Sequence, residues 1–253
     1  MSAVIAIASG KGGTGKTTVF ACLSVALSRA GKRVLAVDCD FGLRNLDLAL
    51  GLGETAVFDL ADAINGICAP EDAVIVHPKH KTLHFICAPQ DERKADFTPA
   101  AFATFVRELE MKYDYVLLDC PASLGHAFDC AVAAANEAIL VTIPQSYALR
   151  DTEKIADVVT ERGIERARLL VNMVRPRHIN RGYSKNIDDI IDAVALPLLG
   201  VAPYDENISA YQNRRMDIMD DPSLVSERAF DNIARRIMGE RVPILKFRNG
   251  RLR

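Results

Sequence analysis

The hydrophobic residues of this chain fall into short continuous runs, separated by longer stretches with helical spacing. Apolar runs of this length, bounded by turn-forming residues, are typical of strands that are buried on both faces. The runs cover residues 4–8, 34–37, 83–87, 115–118, 138–143, 168–174 and 198–202. Their alternation with helical stretches predicts repeated βαβ units and mainly parallel strands.

Amphipathic helical patterns occupy the segments between these runs. The clearest of them cover residues 16–29, 99–112, 150–162, 186–193 and 223–238. No linker rich in Pro, Gly or Ser, no internal repeat and no low-complexity tract divides the chain. The sequence therefore predicts one α/β domain over residues 1–242, with a single doubly wound, mainly parallel sheet flanked by helices. Residues 243–253 are expected to form a short basic tail.

Composition narrows the class of protein. Hydrophobic residues make up 49% and charged residues 25% of the 253 residues, which is typical of a folded globular protein. A net charge of −2 excludes a global positive field that would hold the whole protein on nucleic acid. The six cysteines are dispersed without a C-x-x-C pair, and neither a signal peptide nor a membrane-spanning run is recognised. These features predict a cytoplasmic protein with reduced thiols.

The first chemical signal lies between the first predicted strand and the first predicted helix. It has the P-loop pattern Gly-x-x-x-x-Gly-Lys-Thr in the strand-to-helix context that this motif requires. Glycines let backbone N–H groups face phosphate oxygens, and the helix presents its positive N-terminal end to the same anion. The candidate nucleotide-binding residues are Gly10, Lys11, Gly12, Gly13, Thr14, Gly15, Lys16, Thr17 and Thr18.

The residue types within the loop indicate their roles toward ATP. We expect Lys16 to reach the β- and γ-phosphates, Thr17 to bind Mg²⁺ through its hydroxyl group, and Thr18 to contact the α-phosphate. Lys11 adds a second positive charge, which is either a solvated loop lysine or a charge that a further anion compensates. No serine, cysteine and histidine arrangement for nucleophilic catalysis accompanies the loop, so hydrolysis of ATP by water is the predicted chemistry.

Three carboxylates follow predicted strands. Carboxyl ends of parallel strands face the ligand crevice, so these side chains are expected near the P-loop. Asp40 is the candidate for positioning the attacking water, and Asp119 resembles the Walker B acid that holds Mg²⁺ through water. Asp38 either supports the metal site or forms the turn at its strand end, and Asp119 has the alternative role of helix cap. The predicted metal ligands are thus Thr17, Asp38 and Asp119, and the candidate catalytic residues are Lys11, Lys16 and Asp40.

The run at residues 11–18 resembles the deviant Walker A loop of the MinD/ParA family of P-loop ATPases. The resemblance extends from the first residue to about residue 241 and includes residues 119–122 and 150–151, while residues 40–47 are more similar to the MinD branch than to the ParA branch. It implies that Lys11 contacts the nucleotide of a partner subunit, so that ATP binding drives formation of a homodimer. It also implies that Asn172 reads the adenine edge, unless it is an ordinary turn residue, and that Pro203 and Asp205 contact the base.

The resemblance further implies a role in placing the cell-division site, with regulators of the MinC and MinE type as partners near residues 145–152. A ParA-like DNA-partition ATPase is an alternative, for which residues 175–181 supply a basic cluster. A less favoured alternative is an Mrp-like ATPase of iron–sulfur assembly, which calls for a C-x-x-C pair that this chain lacks. The stretch at residues 123–126 departs from the family pattern, and no chemistry is predicted for it.

Two further basic segments could be solvated surface segments or could have a binding role. The histidine-rich stretch at residues 77–84 has no metal-ligand spacing and is predicted to be a solvated loop at a strand edge. The tail at residues 244–253 occupies the place of a membrane-targeting helix in the family, but Arg248, Gly250 and Arg251 interrupt its apolar side. We expect the tail either to be disordered or to attach weakly, in a salt-sensitive manner, to the anionic inner face of the cell membrane.

Overall fold

The computed structural model describes residues 2–43, 46–52, 56–214, 218–244, 247–248 and 251–252. In these ranges the strands β1 to β10 are Ala3–Ala8, Val34–Asp38, Ile75–Val76, Leu83–Ile86, Tyr115–Asp119, Glu137–Thr142, Arg166–Val174, Leu198–Pro203, Phe247–Arg248 and Arg251–Leu252. The α-helices α1 to α10 are Lys16–Arg29, Leu46–Ala49, Leu60–Ile64, Pro99–Glu110, His126–Ala134, Ser146–Glu161, Pro176–Asn180, Ile187–Val194, Asn207–Asn213 and Val225–Ile237.

The main sheet has the strand order β3-β4-β2-β5-β1-β6-β7-β8. Its neighbouring strands are parallel, apart from the antiparallel pair of β3 with β4. All seven predicted strands are present, and the predicted doubly wound, mainly parallel sheet is confirmed. The edge strand β3 was not predicted, because two residues are too short to show a periodic pattern.

Helices cover both faces of the sheet, so the sheet separates two hydrophobic cores. In β1, Val4, Ala6 and Ala8 point into one core, whereas Ile5 and Ile7 point into the other. This arrangement explains why the central strands are continuous apolar runs rather than alternating ones. Since the carboxyl ends of parallel strands meet at one edge, the segments that follow β1, β2, β5, β7 and β8 are brought together there.

The predicted helices are present with shifted ends. Helix α1 has the predicted bounds, but α6 begins at Ser146, four residues before the predicted start at 150. Helix α5 was not predicted, because its short, alanine-rich sequence lacks a clear polar face. The earlier start of α6 matters for function, since it places Tyr147 in the first turn of a helix that packs beside the P-loop.

His77 corrects one sequence-based interpretation. It was predicted to lie in a solvated loop, but it is 5% exposed. Its Nε2 donates to the Leu50 carbonyl over 3.0 Å, while Nδ1 accepts from the backbone N–H groups of Lys79 and His80. The prediction failed because the neighbouring lysines and histidines suggested full exposure. In the described part of the chain, no group of three His, Cys, Asp or Glu side chains is arranged to hold a metal ion.

The tail is only partly described. Phe247–Arg248 pairs antiparallel with Arg251–Leu252, which is a short two-stranded ladder rather than a helix. Residues 245–246, 249–250 and 253 of the predicted membrane-attachment segment lie outside the described residues. Among the helices that are described, none is long and apolar enough to cross a membrane.

Candidate functional site

The P-loop connects β1 to α1 at the carboxyl edge of the sheet, and two of its glycines are required by close packing. A Cβ atom on Gly10 would lie 2.3 Å from the carbonyl carbon of Asp151 in α6. Gly15 has a left-handed backbone with φ of 77°, and a Cβ atom there would lie 2.6 Å from Nδ2 of Asn172. The loop is therefore held between α6 on one side and the end of β7 on the other.

Lys16 and Asp119 form a buried ion pair across the loop. Lys16 is 7% exposed and Asp119 is 1% exposed. Burial alone lowers the pKa of Lys16, but the Asp119 carboxylate outweighs this effect and raises the pKa above its ordinary value, so the lysine stays charged. The Thr17 side chain lies close enough to the Asp119 carboxylate to favour its charged form, although burial raises the pKa of Asp119. Residues predicted from two distant parts of the sequence thus meet at one point.

Asp38 lies beside this group, because it is paired in register with Asp119 on the neighbouring strand. Its two carboxylate oxygens accept the backbone N–H groups of Asp40, over 2.9 Å, and of Leu46, over 3.3 Å. Burial, together with the nearby Asp119 charge, raises the pKa of Asp38 to about 7. These contacts support the alternative role of Asp38 in forming the turn after β2. Its role toward a metal ion stays a prediction.

Asp40 is half-buried and lies within the field of the Lys16 charge. Burial raises the pKa of its carboxyl group, and the opposing charge of Lys16 partly offsets that effect. Asp40 lines a cavity of about 460 Å³ between residues 40–43 and residues 121–127. The position suits a carboxylate that orients a water molecule beside the terminal phosphate, which is the predicted role.

His126 was missed by sequence reasoning, although it connects the two segments that border this cavity. Its Nε2 lies 3.0 Å from the carbonyl oxygen of Ala95, and its ring contacts Phe41 and Phe97 with centroid distances of 6.4 and 6.0 Å. The side chain therefore packs the first turn of α5 against the loop that follows β2. A divergent sequence at residues 123–126 gave no signal for this packing.

Asn172 lies under the P-loop on the opposite side from the carboxylates. Its Nδ2 donates to the carbonyl oxygen of Thr14 over 2.9 Å, and the residue is 5% exposed. The pairing of β7 with β8 is irregular between Val171 and Val174, and Met173 has a left-handed backbone with φ of 54°. This bulge turns Asn172 toward the loop. Its predicted contact with adenine stays a prediction.

Pro203 and Asp205 line an open cavity of about 910 Å³ at the ends of β7 and β8. The Asp205 carboxylate accepts hydrogen bonds from the Asn207 backbone over 3.0 Å and from the Ser226 hydroxyl over 2.8 Å. The same cavity is lined by all members of the basic cluster that suggested DNA binding, which are Arg175, Arg177, His178 and Arg181. Arg175 stacks on the Tyr204 ring at 3.4 Å from its centroid. The basic side chains thus lie beside the predicted base-contacting residues.

Lys11 lies apart from the buried group, on the exposed outer side of the loop. Its Nζ is 4.4 Å from the ring centroid of Tyr147. Sequence reasoning placed residues 145–152 near a partner surface but did not single out Tyr147. The available signal was an aromatic residue within the segment predicted to lie near a partner surface.

The loop fits a polyphosphate. The space beside Gly12 and Gly13 is open, since no atom of the described residues lies within 4 Å of an added Cβ atom at either position. The Thr14 hydroxyl is buried, and in the described part of the chain it has no hydrogen-bond partner. The oxygens of Thr17 and Asp119 are the hard ligands that Mg²⁺ prefers. The residues therefore fit a nucleotide phosphate chain accompanied by Mg²⁺.

Comparison with known proteins agrees with this geometry. Residues 5–218 match the family model described as the CobQ/CobB/MinD/ParA nucleotide binding domain. The septum site-determining protein MinD of Synechocystis sp. is 38% identical over 248 residues, which cover 98% of this chain and 93% of that protein.

Two solved structures of similar proteins extend the match to three dimensions. The MinC:MinD cell division protein complex of Aquifex aeolicus includes a chain with a TM-score of 0.90 and 31% identity, and 97% of this chain and 99% of that chain are covered. MinD of Pyrococcus horikoshii, complexed with Mg-ADP, has a TM-score of 0.85 and 33% identity, with coverage of 94% and 96%. The predicted MinD branch is confirmed. The chain belongs to the CobQ/CobB/MinD/ParA nucleotide-binding family and, within it, to the MinD ATPases of septum site determination.

Proposed function

We propose that this chain is an ATP-driven dimerisation switch that helps to place the division septum. The observation that carries the proposal is the buried ion pair of Lys16 and Asp119 beside the half-buried Thr17 at the P-loop, with Lys11 exposed on its outer side. The inner residues form a site for the phosphates of one protomer's own nucleotide. The exposure of the outer lysine supports a contact with a second chain.

The reaction is hydrolysis of ATP to ADP and phosphate. Lys16 exchanges its ion pair with Asp119 for the β- and γ-phosphates, and the freed carboxylate, with the Thr17 hydroxyl, would hold Mg²⁺. Mg²⁺ neutralises charge on the phosphate oxygens when it is bound. The half-buried Asp40 carboxylate orients the water molecule for attack on the terminal phosphate.

ATP turnover and assembly are tested together. Hydrolysis is followed as phosphate release, and sedimentation of the purified chain is compared with Mg-ATP, Mg-ADP and no nucleotide. The proposal expects a dimer with Mg-ATP and a monomer in the other two states. Turnover without any ATP-dependent change in sedimentation would reject the dimerisation switch and leave an ordinary ATPase.

A MinC-type protein is the proposed partner of the ATP dimer. Support comes from the Aquifex aeolicus complex, in which a chain with 31% identity to this one is bound to MinC. Co-sedimentation of a MinC-type protein with the Mg-ATP form, and its absence from the Mg-ADP form, is the expected result. Equal recovery with both nucleotides would contradict a switch that controls the partner.

The basic tail is the proposed contact with the cytoplasmic face of the membrane. Each basic side chain near an anionic surface contributes about 1 kcal/mol, and two tails on one dimer act together. We expect the Mg-ATP form to sediment with anionic vesicles at low salt, and a chain lacking residues 243–253 to lose this binding while it still dimerises. Duplex DNA replaces the vesicles in a parallel assay, in which ATP-dependent DNA binding would favour the ParA-like alternative.

A further inference from the structure

The Lys11 side chain has a defined position, although it lies on the surface. Its ammonium group is 4.4 Å from the ring centroid of Tyr147, within the range in which a cation is attracted to the negative face of an aromatic ring. Tyr147 is 51% exposed, so the contact is at the protein surface. Among the described residues, no carboxylate forms an ion pair with Lys11.

Backbone packing fixes both partners of this contact. Gly10 lies directly against the backbone of Asp151, where even one added Cβ atom would overlap the carbonyl group. Tyr147 precedes Asp151 by four residues in α6 and therefore lies on the same helical face, one turn closer to the helix start. The Ser9 hydroxyl donates to the Lys11 carbonyl over 3.1 Å. Lys11 is thus held at its backbone by Ser9 and at its ammonium group by Tyr147.

We infer that Tyr147 is a positioning residue, which retains the Lys11 ammonium on its own protomer until nucleotide and a second chain draw it away. The release of Lys11 on dimerisation rests on the proposed function. The contact between Lys11 and Tyr147 does not depend on it. A neutral ring suits this purpose because it holds a surface cation only weakly. A carboxylate in its place would compete more strongly with the phosphates for the same ammonium group.

Release of Lys11 also changes the surroundings of the Tyr147 ring. The ring lines a groove of about 600 Å³ between residues 144–147 and residues 179–189. The groove therefore gains an aromatic ring that is free to move when Lys11 leaves. Through this ring, the state of the P-loop is communicated to an outer surface of the protein.

The chain contains no tryptophan, so a Tyr147→Trp variant carries a single fluorescent reporter at the contact. Tryptophan preserves the cation–π interaction. Without nucleotide, its quenching by cesium ions is compared with that of a Tyr147→Trp/Lys11→Met double variant. We expect stronger cesium quenching in the double variant, because the lysine charge no longer repels the quencher. Equal quenching in the two variants would overturn the contact.

Mg-ATP is then added to Tyr147→Trp while sedimentation follows dimer formation. The quenching should rise toward that of the double variant over the same ATP concentrations that produce the dimer. Dimerisation without a change in fluorescence would overturn the inference and leave the proposed function intact. If the unmodified chain forms no dimer with ATP, the proposed function is rejected, and the release of Lys11 is rejected with it. The cesium-quenching comparison without nucleotide still tests the contact between Lys11 and residue 147.

The competition has a measurable consequence for assembly. An exposed cation–π contact corresponds to an equilibrium constant of about two to five. Tyr147→Ala should therefore dimerise at an ATP concentration about two- to fivefold lower than the unmodified chain, and Tyr147→Phe should behave almost like the unmodified chain. Tyr183→Ala is the matched control, because Tyr183 is a second exposed tyrosine in the groove that contacts His178 rather than Lys11. A Tyr147→Ala dimer of unchanged or lower affinity would overturn the inference.

Discussion

The two lysines of the P-loop are five positions apart, yet their surroundings are opposite. Lys16 is 7% exposed and is paired with a carboxylate that is almost completely buried. Lys11 is exposed, and its ammonium group lies over the face of a neutral ring. The same residue type is therefore part of the interior at one position and part of a surface at the other.

This difference in burial explains how one loop can both bind phosphate and exchange partners at the surface. Removing a buried partner leaves an uncompensated charge in a medium that solvates it poorly, so Lys16 contributes to both folding and phosphate binding. A surface cation is solvated whether or not its partner is present, so Lys11 contributes little to folding. It is free to exchange one partner for another, as a switch requires.

The largest effect is expected at the inner lysine. Lys16→Met should lower the free energy of unfolding by about 3–5 kcal/mol, because the buried Asp119 carboxylate loses the cation that forms an ion pair with it, and should abolish ATP binding. Urea denaturation and titration with a fluorescent ATP analogue measure the two effects. The control is Lys16→Met/Asp119→Asn, which should recover much of the stability without recovering ATP binding. Near-normal nucleotide affinity in either variant would contradict the assignment of Lys16.

Asp40 tests a different property of the buried site, because it lies in the field of Lys16 without forming an ion pair with it. Asp40→Asn should slow hydrolysis about 100-fold, which is ~2.7 kcal/mol in the barrier, and should leave ATP binding intact. Single-turnover phosphate release and sedimentation are the measurements, and the ATP dimer is expected to accumulate. Unchanged turnover would show that another group orients the water molecule.

A smaller and more selective effect is expected at the outer lysine. Lys11→Ala should change the free energy of unfolding by no more than about 0.5 kcal/mol and should still bind ATP. The dimer should weaken about tenfold, or ~1.4 kcal/mol, because a charged contact across the interface is lost. Thermal denaturation and sedimentation with Mg-ATP check the two halves of the prediction. A variant dimer as stable as the original would return Lys11 to an ordinary solvated lysine.

The most gradual predicted effect, spread over several pH units, is a pH dependence that comes from the buried Asp38 carboxyl group. Burial raises the pKa of Asp38 to about 7, so the folded state binds a proton that the unfolded state has already released. Stability from this group is fully present below about pH 4 and is lost as the pH rises from about 4 to about 7, by at most about 1.4 kcal/mol per pH unit.

Urea denaturation of the nucleotide-free chain across this range measures the effect. Asp38→Asn is the control, because its side chain does not titrate while one oxygen is still present to accept a backbone N–H group. The difference in slope between the two proteins isolates Asp38 from other titrating groups, such as His84, whose pKa is lowered by burial. Parallel stability curves would contradict the raised pKa.

The class of fold and the phosphate site could be predicted from the sequence alone. Seven apolar runs predicted the parallel strands, because strands that are buried on both faces need apolar residues at successive positions. The P-loop was recognisable because its function depends on glycines and a lysine that are adjacent in the chain. Asp38, Asp40 and Asp119 could be assigned to the same edge of the sheet, since parallel strands end together.

Only the tertiary structure decided which partners these side chains have. Thr17 and Lys16 meet Asp119 more than 100 positions away, Asn172 reaches Thr14, and Tyr147 meets Lys11. Periodicity reports which face of an element is buried, but it contains no information about which distant side chain lies opposite. The left-handed backbone of Met173 depends on the strand bulge, and the packing of His126 depends on contacts with distant segments. Local sequence patterns therefore do not predict either feature. Burial and pairing are properties of the assembled fold, and they separate the roles of two lysines that look alike in the sequence.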